Sequence, residues 1–230
     1  MRRGLGAALF ICFCYPSYAQ FLPDLQAKST EEYDAYLAVQ DGPILARGSD
    51  FERRFPDSSL RLPVCEWTAK EFRRNGQAAQ AISAVERGLA IAPDYIPLLV
   101  EQADLLSNGG ERLPVAAEAA TRAIEFLQTA KAPQRVSPED WKAATESLLS
   151  RAHSALGLIA FKRSDMGTAI REFTTAVGLD TPERAMAQYR LGRVYGLIGN
   201  RGEARKYLQA AMQGSDSRLR EMARAALAAL

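Results

Sequence analysis

Apolar positions recur at helical spacing in runs that come in pairs. A first run leads to a turn at Gly76, Gly110, Ser164 or Gly199, and a second periodic run follows. The second runs "AISAVERGLAIAPD" (81–94), "AIREFTTAVGLDTP" (169–182) and "ARKYLQAAMQG" (204–214) share one register. Small residues mark it: Gly192 and Ala204 are twelve positions apart, as are Gly157 and Ala169, and Ala69 and Ala81, while Ala103 and Ala116 are thirteen apart. The pairs themselves return after 34 positions (Ala69 to Ala103) and after 35 (Gly157 to Gly192), a period that marks stacked supersecondary units. The pattern predicts an all-α fold built from helical hairpins.

Helices joined by a tight turn approach to the lower end of the roughly 8–10 Å range only where their contact residues are small. Gly192 and Ala204 are therefore expected to meet at the crossing of one hairpin, with Tyr195, Leu208, Phe72, Val85, Leu106 and Phe173 on the flanks. Pro56, Pro93 and Pro182 close second helices, and Asp57 or Ser58 is placed to cap the helix that starts next. Ser137, Pro138, Glu139 and Asp140 combine a capping side chain, a proline at the first helical position and acids favoured by the helix dipole. A helix is thus expected from near Pro138 to about Arg163, long enough to protrude from the stack or fold over one face.

The order of small and large residues resembles the tetratricopeptide repeat (TPR) family. Leu191, Gly192, Tyr195, Gly199, Ala204, Leu208 and Ala211 fit its pattern in the last unit, and Ala69, Phe72, Gly76, Ala81, Val85, Gly88, Ile91 and Pro93 in an earlier one. Leu156, Gly157, Ala169, Phe173 and Ala176 fit in between. The family's Trp ahead of the Leu-Gly pair is replaced by Cys65, Leu99, His153 and Gln188. The resemblance implies a right-handed helical-hairpin solenoid with units at 29–61, 62–95, 96–130, 150–183 and 185–218; the surplus over the period reads as an extended helical segment at 131–149, and the amphipathic end as a capping helix at 217–230.

Ahead of the repeats, Arg2 and Arg3 precede the apolar run "GLGAALFICFCY" (4–15), and small residues end at Ala19. This is the pattern of a secretory signal peptide of bacterial type, 1–19, followed by an extended, mobile lead at 20–28. The apolar run is shorter than the roughly 20 residues that span a bilayer, so no transmembrane anchor is expected after cleavage. Cys12 follows Ile11 and Cys14 follows Phe13, so no small residue precedes a cysteine as a lipid anchor requires. The protein is expected to be exported, either periplasmic or secreted.

Loss of the leader changes the charge and the thiol chemistry. The chain carries 29 Lys and Arg against 27 Asp and Glu, and Arg2 and Arg3 are the only charges in residues 1–19, so the remainder is formally neutral. No basic stripe or basic amphipathic helix points to nucleic acid or anionic lipid. Cys65 is left as the one thiol of the expected mature chain, without an intrachain disulfide, and burial in a helix interface is expected for it.

Catalysis requires convergent groups, and the inventory is thin. His153 is the one histidine and sits at a helix-packing position, so a structural role is expected. "GLIGN" lacks the Lys-Ser/Thr of a phosphate loop, and Glu31, Glu32, Glu139 and Asp140 are acids at helix starts. No enzymatic reaction, cofactor or metal is expected.

What remains is surface. The resemblance implies a concave groove lined by first helices, at Glu66, Lys70 and Arg73; Val100, Asp104 and Ser107; Ser154, Leu158 and Phe161; and Tyr189, Arg193 and Gly196. Family members that grip chaperone C-terminal carboxylates use a Lys and Asn constellation that Glu66, Lys70, Val100 and Asp104 do not reproduce. Lys70, Arg73, Tyr189 and Arg193 suit an acidic or aromatic peptide, Arg and Tyr being residue types enriched at binding hot spots. The sequence thus predicts an exported interaction scaffold for an unknown protein or peptide. The alternative is a cell-envelope assembly subunit that self-associates through its terminal helix or the long helix near Trp141.

Overall fold

A computed structural model describes residues 25–132 and 136–230. The expected leader, 1–19, lies outside the described residues. Those residues form eleven α-helices and no strand: α1 (Thr30–Gln40), α2 (Ile44–Arg54), α3 (Arg61–Arg74), α4 (Ala78–Ile91), α5 (Ile96–Gly109), α6 (Leu113–Thr129), α7 (Pro138–Lys162), α8 (Met166–Gly178), α9 (Arg184–Leu197), α10 (Arg201–Ala211) and α11 (Ser217–Ala228).

Local chemistry sets where these helices start and stop. Ser29 Oγ accepts from Glu32 N at 3.1 Å, Ser137 Oγ from Asp140 N at 3.0 Å, and Asp165 Oδ1 from Thr168 N at 3.0 Å. Each bond satisfies one of the backbone donors that a helix leaves unpaired at its start. At the tips of three hairpins Gly76, Gly110 and Gly199 adopt φ of 72°, 80° and 81°, in the left-handed region where glycine meets no steric penalty. Ser164 holds the equivalent tip with φ 60° although it carries a Cβ.

The described residues divide into two compact units, one up to Leu98 and one from Leu99. In the first, Tyr36, Val39, Phe51, Leu60 and Val64 form a core that also takes in Leu25, so the end of the lead is packed. The Tyr36 ring lies 5.1 Å from that of Trp67 and edge-on to Phe51 at 6.3 Å. Burial raises the Tyr36 phenol well above its ordinary value. Cys65 is buried as well.

In the second unit, Ala169, Phe173, Leu191 and Val194 make one core cluster, and Tyr189, Leu208, Ala211, Leu219 and Ala223 another. Burying side chains as large as Leu, Val or Phe stabilises by about 1.5–3 kcal/mol each. The second cluster explains α11: its apolar face, Leu219 and Ala223, covers the last hairpin.

The hairpin crossing differs from the expected meeting of small residue with small residue. A Cβ added at Gly192 would stand 2.8 Å from Leu208 Cγ and 3.1 Å from Leu208 N, and one at Gly157 would stand 2.7 Å from the Phe173 ring. Each of these first-helix glycines is the hole for a large second-helix residue. Ala204 instead lies opposite Gly196, 3.9 Å from where a Cβ would be. One small residue per crossing suffices, because a bare backbone turn accepts a whole Leu or Phe and buries more apolar area than an Ala would.

The long helix is packed from Ala144 onward, beyond its exposed first residues. Ala144 and Leu148 are buried, and Ser147 Oγ donates to Glu183 Oε1 at 3.1 Å. Farther along, the Arg151 guanidinium reaches two carboxylates of α5, 2.6 Å from both Glu101 Oε2 and Asp104 Oδ2. Burial raises the Asp104 carboxyl above its usual range, with Arg151 opposing the rise and Glu101 adding to it. Among the described residues no helix is long and apolar enough to cross a membrane.

Candidate binding pocket

The groove residues inferred from the repeat register fall in different surroundings. In the first unit Glu66 is turned inward, 4% exposed, where it is ion-paired with Lys70 one turn along α3 and accepts a hydrogen bond from the Tyr95 hydroxyl. Lys70 thus spends its charge on Glu66, while Arg73 is exposed at the end of α3. In the second unit Asp104 belongs to the Arg151 cluster, and Val100, Ser107 and Ser154 are buried.

Phe161, Tyr189 and Arg193 come together. With Leu158 they line an open pocket of about 280 Å³ within the second unit. Its apolar surface comes from Leu158 and Phe161 of α7, Phe173 of α8, Met186 and Val194 of α9, and Met222 of α11. Its polar surface comes from Tyr189, Asn108 and three cations: Lys162, Arg190 and Arg193.

The cations are held in place by neutral partners. Arg190 Nη2 donates to Asn108 Oδ1 at 3.1 Å, and Lys162 Nζ donates to the Asn108 backbone carbonyl at 3.1 Å. Arg193 lies over the Tyr189 ring, 5.9 Å from its centroid. Among the described residues none of the three forms an ion pair with a carboxylate. Burial pulls the Arg190 guanidinium below its ordinary value, with only a partial opposing effect from Asp104, whose own carboxylate is committed to Arg151. A desolvated guanidinium beside two further cations favours an anion, because Coulomb attraction grows as water is excluded.

Sequence register alone does not single out Arg190, Lys162, Asn108, Met186 or Met222. Lys162 and Asn108 sit at the ends of first helices, outside the three positions per helix that the register supplies. Met222 comes from the helix read only as a cap. Arg190 immediately follows Tyr189, and a charged neighbour on a helix is the one available signal.

His153 Nδ1 lies 2.9 Å from Glu172 Oε2, a polar contact within the α7–α8 hairpin. Among the described residues no group of three or more His, Cys, Asp or Glu side chains is placed to hold a metal ion.

The TPR family model matches residues 185–213, the α9–α10 hairpin that supplies the Met186, Tyr189, Arg190 and Arg193 wall of the pocket. Solved structures are similar over most of the chain. A MamA fragment from Desulfovibrio magneticus RS-1 has 14% identity and a TM-score of 0.59, covering 81% of this chain and 96% of that one. BtubC from P. vanneervenii has 15% identity and a TM-score of 0.56, covering 81% and 77%. A thermophilic TPR protein of Thermus thermophilus has 19% identity and a TM-score of 0.53, covering 85% and 98%. These likenesses show the fold, an all-α helical-hairpin solenoid of the TPR class. No curated protein matches the chain.

Proposed function

We propose that this protein is an exported, non-enzymatic scaffold that docks a segment of a partner protein in the pocket of its second unit. The observation that carries the reading is the pocket itself: three cations without carboxylate partners among the described residues, beside an apolar lining, with Arg190 and Arg193 on the hairpin that matches a TPR repeat. Complementary charge across such a surface steers a partner in and selects against the wrong one. Export rests on the leader-like pattern of residues 1–19.

Two measurements test it. Cell fractionation with N-terminal sequencing should find a chain beginning at Gln20 outside the cytoplasm, and a chain retaining Met1 in the cytoplasmic fraction removes export. A photo-crosslinking residue at position 193 should capture a partner in intact cells, and one at exposed Arg224 on α11 serves as the off-pocket control. Capture at both positions alike, or at neither, removes the docking site.

Self-association is the competing reading. The apolar face of α11 is already used against Tyr189, Leu208 and Ala211 of its own chain. Light scattering across a hundredfold concentration range should accordingly report a constant mass.

A further inference from the structure

The pocket's lining combines two chemistries, and together they define what fits. Lys162, Arg190 and Arg193 supply positive charge, whereas Leu158, Phe161, Met186 and Met222 supply apolar surface. At about 280 Å³ the pocket falls just under the roughly 300–1,000 Å³ of small-molecule sites. That size suits one anchoring side chain and its neighbours better than a free metabolite. Two methionines in the lining add soft, adaptable surface of the kind that accepts more than one apolar shape.

Resting on the scaffold reading above, we propose that the occupant is an acidic peptide segment carrying one bulky apolar side chain, and that α11 is a working wall of the site through Met222. The apolar side chain enters between Met186 and Met222 and the floor residues, while flanking carboxylates meet Arg190, Lys162 and Arg193. Asn108 acts as a positioning residue, because its side-chain oxygen holds Arg190 and its backbone carbonyl holds Lys162. Behind it Asp104 is hydrogen-bonded to Arg151, and its attraction offsets the burial of Arg190 only in part.

The probe is a displayed library of random twelve-residue peptides selected on the full mature chain. Enriched peptides should carry net negative charge and a recurrent single Leu, Ile, Met, Phe or Trp. A peptide so selected, labelled for fluorescence anisotropy, should bind more weakly as salt rises. It should lose at least tenfold in affinity to Lys162→Glu and to Arg193→Glu, and also to Met222→Asp. All three positions are exposed or at the edge of exposure, so the variants should keep the parent melting temperature, checked by circular dichroism. Asn108→Ala should weaken binding and flatten its salt dependence, a change that a packing role would not produce. Enrichment of neutral or basic peptides, no enrichment, or affinity unchanged in the folded charge-reversal variants overturns the proposal. Crosslinking at position 193 reports separately on the scaffold reading: a captured partner whose contact segment is not acidic leaves that reading standing and ends this one.

Discussion

Leu208 seats its side chain in the space left by Gly192, with Cγ 2.8 Å from where a Cβ on Gly192 would stand. The backbone nitrogen of Leu208 is also only 3.1 Å from that point, so a side chain at 192 cannot be accommodated by a rotamer change alone. Gly192→Val is expected to force α9 and α10 apart and to destabilise by about 1–3 kcal/mol. Gly178→Ala is the control: nothing lies within 4 Å of its added Cβ and its φ is not positive. It should gain about 0.4–1 kcal/mol through the unfolded chain. Urea denaturation of the two variants checks the sign, and equal effects would deny the knob-in-hole crossing.

Ser164 occupies a hairpin tip where three counterparts are glycine, with φ 60°. A left-handed conformation costs an ordinary residue about 1–2 kcal/mol, and glycine returns part of that gain through its extra unfolded-state freedom. Ser164→Gly should therefore raise stability by about 0.5–1 kcal/mol. A lowered melting temperature would show that the serine side chain contributes something the turn needs.

Arg151 is 12% exposed and faces Glu101, which is fully buried, and Asp104. Arg151→Met keeps most of the stem but abandons both carboxylates, and breaking such a buried pair costs about 3–5 kcal/mol. The loss should be larger at pH 7 than at pH 5. The Asp104 carboxyl already sits above its ordinary value with Arg151 opposing the rise, and without the guanidinium it moves higher still. A group whose folded value is raised takes up its proton in the folded state first, so protonation as pH falls returns part of the lost stability. Denaturation at the two pH values decides it, since a pH-independent loss would mean that the stem's packing and not its charge joins α7 to α5.

Cys65 is buried, and its thiol is pushed up to about 12, chiefly by desolvation and then by the neighbouring Glu52 carboxylate. In a chain that begins at Gln20, the native thiol should resist aromatic disulfide reagents at pH 8 and titrate once after denaturation. The unfolded chain releases this proton from about pH 9 upward while the folded chain keeps it, so stability should fall between pH 9 and 12. Cys65→Ser should remove that part of the alkaline slope, leaving the Tyr36 part above pH 10. Rapid labelling of native protein would contradict the burial.

Repeat spacing carries much of the fold because it is a short-range property. Positive φ at Gly76, Gly110, Ser164 and Gly199 coincides with turns that the apolar pattern alone marks, and Ser137 caps α7 as its sequence signal implies. Part of the pocket's lining is equally visible: Leu158, Phe161, Tyr189 and Arg193 fall at register positions and line one pocket. Glu66 shows where register ends, since it occupies a groove position yet turns inward to Lys70 and Tyr95. A partner 29 positions away in the chain leaves no periodic trace.

The chain's order of small, large and turn-forming residues determined that it would fold as α-hairpins, since helix periodicity, caps and left-handed turns depend on neighbours within a few positions. Tertiary structure alone decided which side chain fills each glycine hole, that Arg151 would pair with Glu101 and Asp104 while Arg190 lines the pocket, and that Met222 would join that lining. Those outcomes depend on distances between helices far apart in sequence, where packing and desolvation, not periodicity, select the contact.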